Sequence, residues 1–278
     1  MAIEYAFCKY HGAGNDFVVV RGEGLPGALR AADGSVRPEV VRGACHRRFG
    51  VGADGFIVLE RCGEREVTMG FYNSDGYPST MCGNGARCTF SAAVYLYGLE
   101  HRELALHTGA GVARAALVER MGEREELVRI ALPPVGAAVE DAASGGLVLN
   151  TGVPHLVKRV EEVRGYDMSE VAPRWRREVN ARNGGVNVNI CSGGDGCYSA
   201  RTFERGVEGE TLACGTGAVA VALAMNQAEG ACSPVGVRMP GGELEVHFRR
   251  MEHGGWEGVE LVGPTVRICE GMAWHAEA

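Results

Sequence analysis

The sequence predicts an α/β (α+β) protein made of two pseudo-symmetric halves. Three observations carry that expectation. A five-residue motif occurs twice, as Cys82-Gly83-Asn84-Gly85-Ala86 and as Cys214-Gly215-Thr216-Gly217-Ala218. The separation, 214 − 82 = 132, is close to half of the 278 residues, and the same ungapped offset sets Phe71 on Phe203. Each motif follows β-rich sequence and opens an apolar run with helical character.

The elements follow in order. Residues 3–9 and the run Phe17-Val18-Val19-Val20 read as strands flanking a glycine turn, Gly12-Ala13-Gly14, that presents Asn15. Residues 22–36 are rich in Gly and Ala and read as a loop. Pro38 suits a helix start, with Val40, Val41 and Cys45 on one face and an end near Arg48. Phe56-Ile57-Val58-Leu59 and Thr68–Tyr72 read as strands. Asn84 is a good helix-capping residue, Phe90, Ala93, Val94 and Tyr97 recur at helical spacing, and Gly98 suits the helix end. Residues 104–118 and 127–132 read as strands joined by a charged turn.

Pro133-Pro134 marks a domain boundary, and Pro264 a return to the first domain. The expected organisation is therefore 1–132 plus 264–278 around Cys82, and 133–263 around Cys214. In the second half, Asn150 to Val157 parallels the first turn and strand. Residues 161–180 are helix-prone. Asn187-Val188-Asn189-Ile190 is a strand with its asparagines on one face. Cys191 to Cys197 encloses a hairpin turn, and with no second Cys or His pair nearby a zinc loop there is disfavoured. Arg201–Arg205 matches the strand at 69–73. Thr216 can cap a helix whose residues 217–225 are apolar on every side, so protein should surround it. Strands near 235–239, 244–249 and 258–268 complete the chain.

Composition narrows the function. A net charge of −7 with no basic run argues against a nucleic-acid surface. No apolar run is long enough to span a membrane, and the N-terminus lacks signal-peptide character, so a reducing cytoplasm and free thiols are expected. Lys9 and Lys158 are the only lysines, which leaves few candidates for a pyridoxal Schiff base. No cofactor and no metal are expected in the reaction.

A helix N-terminus offers unpaired amides and the positive end of a dipole. It binds carboxylates and lowers a thiol pKa. Inversion at a carbon removes a proton from one face and delivers one to the other, which calls for two acid/base groups of one kind. Paired thiols at paired helix starts meet that requirement. A Cys214/His155 hydrolase would leave Cys82 idle. A small-anion binding module would explain the glycines but not the two cysteines.

The chain resembles the diaminopimelate epimerases. The resemblance rests on His11-Gly-Ala-Gly-Asn-Asp-Phe17, Asn73-Ser-Asp-Gly76, Met81-Cys-Gly-Asn-Gly-Ala-Arg-Cys88, Gly152-Val-Pro-His155, Asn187-Val-Asn189 and the stretch Glu204 to Ala218, which together span nearly the whole chain in family order. It implies two domains, each a barrel-like, mainly antiparallel sheet around a central helix, and cofactor-independent interconversion of LL- and meso-diaminopimelate. It implies Cys82 and Cys214 as the two bases, with His155 and Glu204 in support. Gly83, Asn84, Gly215 and Thr216 would hold the reacting carboxylate. Asn15, Asn73, Asn187, Glu204 and Arg205 would hold the amino groups and the distal carboxylate. A homodimer, with a small-molecule amino-acid substrate as the other partner, is implied as well.

Two positions depart from the pattern. Val153 stands where many members carry Asn, and Gly55 where many carry Gln. Proline racemase-like enzymes, which share the fold and the two-cysteine logic, are the alternative; the Asn84 motif and the Glu204-Arg205 segment fit the diaminopimelate group better.

Overall fold

The computed structural model describes residues 2–179 and 185–276. The chain divides into two units, Met1–Ile130 with Pro264–Ala278, and Ala131–Gly263.

The first unit contains β1 (Ala2–Gly12), β2 (Asn15–Arg21), α1 (Pro38–Cys45), β3 (Gly55–Arg61), β4 (Glu66–Asn73), the short β5 (Pro78–Ser79), α2 (Gly83–Tyr97), β6 (Glu103–Thr108), β7 (Gly111–Arg120) and β8 (Glu125–Ala131). Strands β1 and β2 are antiparallel, β2 and β3 parallel, β3 and β4 antiparallel, and β4 and β6 parallel. Antiparallel pairs carry the ladder on through β7 to β8. The long last strand, β17 (Trp256–Ala276), joins β8 and pairs antiparallel with β1, which closes a ring of eight strands.

Helix α2 packs against β1, β2, β3, β4, β6 and β7. Its first three turns are buried from Asn84 to Ala93. Gly98 ends it in the left-handed region, φ 60°, where a side chain would be strained. Helix α1 lies on the outer side of the sheet and buries Val40, Val41, Ala44 and Cys45 against Val18, Phe56 and Tyr72. Strand β2 is thus covered on both faces, which is why it reads as an unbroken apolar run.

The second unit repeats this order. After β9 (Val139–Asp141) come β10 (Gly146–Asn150), β11 (Pro154–Arg159), α3 (Met168–Val179), β12 (Asn187–Gly194), β13 (Cys197–Glu204), β14 (Gly209–Thr211), α4 (Gly215–Glu229), β15 (Val235–Met239) and β16 (Gly242–Arg250). The pairings match as well: β11 with β12 and β13 with β15 are parallel, and the other pairs are antiparallel. Helix α4 packs against β10, β11, β12, β13, β15 and β16 and is buried from Gly217 to Met225. It is apolar all round because sheet surrounds it. Helix α3 takes the outer position of α1, with Met168, Ala172 and Trp175 against Val188, Ile190 and Phe203.

Several details differ from the sequence reading. Asn84 and Thr216 do not cap their helices. Cys82 and Cys214 hold the N-cap positions with extended backbones, with a side-chain cap bond at Cys82 and none at Cys214, and Asn84 and Thr216 lie in the first turn. The segment 104–118 is two strands, turning at Gly109-Ala110 before Gly111, whose φ is 110°, so the glycines were the available turn signal. The loop 22–36 contains two short 3₁₀ turns. The helix expected over 161–180 begins at Met168, and Asn180 lies outside the described residues. Cys191 and Cys197 flank a hairpin that turns at Asp195-Gly196, both with positive φ, the geometry a tight two-residue hairpin needs.

Candidate active site

In the first unit the site is built on the start of α2. The Cys82 Sγ accepts a hydrogen bond from the Gly85 amide at 3.4 Å, so the thiol itself satisfies one of the orphan amides of the helix. It also donates to the Asn15 Oδ1 at 3.6 Å. The Asn84 side chain, 2% exposed, donates to that same oxygen at 3.3 Å and accepts from the Arg87 Nη2 at 2.8 Å. The Asn15 Nδ2 donates to the Asp54 Oδ2 at 2.9 Å. A carboxylate only accepts, so this bond fixes which end of the Asn15 amide faces Cys82.

An ion-pair network anchors Asp54 in turn. Asp16 receives both Arg47 nitrogens, at 2.6 and 2.7 Å, and Lys9 at 3.0 Å, while Arg47 reaches Asp54 at 2.6 Å. Burial pushes the Asp16 carboxyl up, but the hydrogen bonds and charges of Arg47 and Lys9 outweigh it and hold it below the usual range. Asn73 is exposed at the end of β4, opposite Gly55 in the ladder. A Cβ at Gly55 would lie 2.7 Å from the Phe71 ring and 3.0 Å from the Tyr72 carbonyl oxygen. The backbone leaves little room there for a side chain such as the Gln of the family pattern.

In the second unit the Cys214 Sγ lies 3.5 Å from the Thr216 Oγ1. The Thr216 carbonyl accepts from the Thr151 hydroxyl at 2.9 Å, which ties the start of α4 to the turn before β11. Asn187 is buried, and its Oδ1 accepts from the Arg205 backbone amide at 2.7 Å. The Glu204 carboxylate receives the Thr211 hydroxyl at 2.5 Å. Arg205 extends from the end of β13 and is exposed. Val153, in the turn before β11, is half-buried.

His155 lies in β11 beside Asn187 and is fully buried. The Asn189 Nδ2 is 2.9 Å from the Leu156 carbonyl oxygen and 3.0 Å from the His155 Nδ1. A carbonyl only accepts, so the Asn189 nitrogen must be the atom on that side, and the Thr202 hydroxyl donates to its Oδ1 at 2.8 Å. His155 Nδ1 is therefore an acceptor, and Nε2 carries the proton. Nε2 is buried without a hydrogen-bond partner among the described residues.

Burial lowers the His155 pKa from 6.5 to about 3, opposed by the Asn189 bond and reinforced by Arg205. The ring is neutral at neutral pH and can act as an N–H donor, not as a fixed cation. The unfolded chain protonates this histidine near pH 6.5, while the fold resists until about pH 3, so stability falls as pH falls through that window. Between those limits the native protein should lose about 1.4 kcal/mol per pH unit more than His155→Phe. Urea unfolding of both proteins at pH 7, 6 and 5 measures the difference, and parallel stability curves would refute it.

Sequence reasoning missed Arg87, Asn189 and Thr202. Arg87 is fully buried in α2, and its charge among apolar neighbours was the available signal. Asn189 and Thr202 form a polar cushion under α4. A Cβ at Gly217 would come within 2.6 Å of the Asn189 Oδ1, so glycine is needed for this approach. The equivalent contact of Gly85 is with Met69 and Ile57. The two units therefore share a backbone plan but differ in the chemistry beneath their cysteines.

All ten cysteines are free. Two buried cysteines outside the helix starts are held as thiols. Burial, with Glu270 alongside, pushes Cys8 up to about 11. Burial and neighbouring carboxylates push Cys45 up to about 12. Those thiols stay protonated and inert.

This architecture defines the class: the fold is that of the phenazine-biosynthesis and amino-acid epimerase proteins. A phenazine biosynthesis protein of the PhzF family from Bacillus anthracis superposes with a TM-score of 0.70 at 15% identity, covering 97% of this chain and 99% of that one. A hydroxyproline epimerase from Agrobacterium vitis gives 0.65 at 17%, covering 98% and 91%. Sequence carries the assignment further. The diaminopimelate epimerase family model matches residues 7–128 and 147–267, and the chain belongs to that family of isomerases. Diaminopimelate epimerases from Archaeoglobus fulgidus and Gemmatimonas aurantiaca are 36% and 34% identical, over 96% and 94% of this chain and 95% of each relative. Among the described residues no helix is long and apolar enough to cross a membrane.

Proposed function

We propose that the protein interconverts LL- and meso-diaminopimelate by a two-base mechanism without a cofactor, with Cys82 and Cys214 as the bases. The carrying observation is that each unit sets a cysteine at the N-cap of its buried central helix, followed by the same Gly-x-Gly-Ala. One sulfur, as thiolate, takes the proton from the α-carbon. The electron pair left behind delocalises into the carboxylate. The other cysteine, as thiol, gives its proton to the opposite face. The two sulfurs end with their protonation states exchanged, ready for the reverse direction.

Amides of Gly83, Asn84, Gly215 and Thr216, at the positive ends of two helices, suit the charge that grows on the carboxylate. Asn15, Asn73, Asn187, Glu204 and Arg205 bind the amino groups and the distal carboxylate. A neutral His155 supports the reaction as an oriented N–H donor, with Glu204 as the second supporting group. Assembly as a homodimer, taken from the family resemblance, belongs to the same reading.

Incubation with LL-diaminopimelate in deuterated water, followed by chiral chromatography and mass spectrometry, tests it. Meso product should appear with one deuterium at the inverted carbon, in apo protein treated with chelator and free of pyridoxal absorbance. Activity that requires added metal, or inversion without isotope uptake in early turnovers, would sink the two-base reading.

A further inference from the structure

At the end of β4 opposite Asn73, three side chains of different chemistry converge on the first unit. Cys62, Glu66 and His107 each offer one ligand atom, a sulfur, a carboxylate oxygen and an imidazole nitrogen, and these atoms all lie within 4.8 Å of one another. We propose that they form a binding site for a divalent transition-metal ion of the zinc type, separate from the proposed epimerisation chemistry.

The fold builds the cluster from rigid parts. The amides of Cys62 and Gly63 both donate to the Glu66 carbonyl, at 3.0 and 3.2 Å, so the β3–β4 turn holds Cys62 and Glu66 at a fixed separation. Parallel pairing of β4 with β6 sets Thr68 opposite His107. Val67 and Leu106 point inward and are buried, so Glu66, Thr68 and His107 share the outer face. The His107 Nε2 already meets the Glu66 Oε2 at 2.8 Å. The cluster sits at the start of β4, while Asn73 lies at its end, seven steps at about 3.3 Å each, or roughly 23 Å away.

Thiolate, imidazole and carboxylate are the ligand set zinc favours, with bonds of about 2.3, 2.0 and 2.0 Å in a tetrahedron. Such bonds hold ligand atoms about 3–4 Å apart, inside the spread already present. The ion would enter between Glu66 and His107, replacing their hydrogen bond. Cys62 would lose its thiol proton to solvent as the sulfur–metal bond forms. Cys62 and Glu66 are exposed, so a water completes the fourth position. Magnesium and calcium, which want oxygen ligands, do not fit a site with sulfur and nitrogen.

Titration of the reduced, full-length apo protein with Co²⁺ tests the proposal, with Zn²⁺ as competitor. One equivalent of Co²⁺ should bind with a thiolate-to-cobalt charge-transfer band, and one equivalent of Zn²⁺ should abolish it. Cys62→Ser should remove the band, and His107→Ala should weaken Co²⁺ binding by more than about 100-fold, the most that loss of a mere supporting contact costs. The double variant Cys82→Ala/Cys214→Ala should keep the band. Circular dichroism of each variant establishes that it folds. A band that persists in Cys62→Ser, that vanishes in the Cys82→Ala/Cys214→Ala protein, or that never forms in the wild type overturns the site. Because the readout is spectroscopic, failure here leaves the epimerase reading untouched, and failure of that reading leaves the metal site standing.

Discussion

Cys82→Ala and Cys214→Ala are each expected to lower kcat for diaminopimelate epimerisation by about 10⁴, the upper end of what a positioned proton-transfer group contributes. On the proposed mechanism each change removes the proton carrier for one face of the carbon, and no other thiol lies at the start of a central helix. Cys62 and Cys269 are exposed and cap no helix, so Cys62→Ala and Cys269→Ala should retain full activity. Isotope exchange sharpens the test. A variant with one thiol can still remove and return a proton on its own face. It should wash the α-hydrogen out of one stereoisomer into solvent without inverting it, and the two variants should act on opposite isomers. Full activity in either variant would leave a Cys/His reading that uses one cysteine. Loss of inversion with exchange from both isomers by a single variant would defeat the assignment of one thiol to each face.

The duplicated cysteine motif was legible because it is local. Five residues, a constant offset and the glycines that end each helix are all written in adjacent positions. Apolar runs gave most strands, and the covered β2 gave the clearest one. The capping role was not legible, since Asn and Thr are the residues expected to cap, yet both N-cap positions hold cysteine and at Cys82 the sulfur accepts the amide. The polar cluster beneath α4 was hidden for a different reason. Asn189, Thr202 and His155 meet through pairings of β11, β12 and β13 that no local pattern encodes. The same holds for Cys62, Glu66 and His107, which parallel pairing of β4 with β6 brings together. A cysteine, an acid and a histidine that are far apart in sequence carry no motif. Gly55 shows the converse. Sequence flagged it as a departure, and the close Phe71 ring and Tyr72 carbonyl leave little room for a larger residue.

L-Lysine and L-proline are expected to be turned over with kcat/KM lower than for LL-diaminopimelate by about 10⁴ or more. Diaminopimelate presents an amine and a carboxylate at both ends. Lysine lacks the distal carboxylate, and proline lacks the whole distal end. A site that holds a group by hydrogen bonds rejects analogues without it by about 10⁴–10⁵, because its own polar groups are left unpaired. Asn187, in the proposed distal set, is buried and has little water to fall back on. Arg205 is exposed on the end of β13, where a planar guanidinium can take a carboxylate in two parallel bonds. Arg205→Met should therefore lower kcat/KM for diaminopimelate by about 10² or more, while leaving the poor activity on lysine nearly unchanged, so that the two substrates converge. Arg205→Lys should recover only part of the loss, since an ammonium group cannot form the paired contact. The measurement is initial-rate epimerisation of each amino acid by chiral chromatography, for wild type and both variants. Proline racemised as fast as diaminopimelate would favour the proline racemase-like alternative. An Arg205→Met protein that loses activity on lysine and diaminopimelate in equal proportion would show that this residue supports the fold or the reaction in general, and does not read the distal carboxylate.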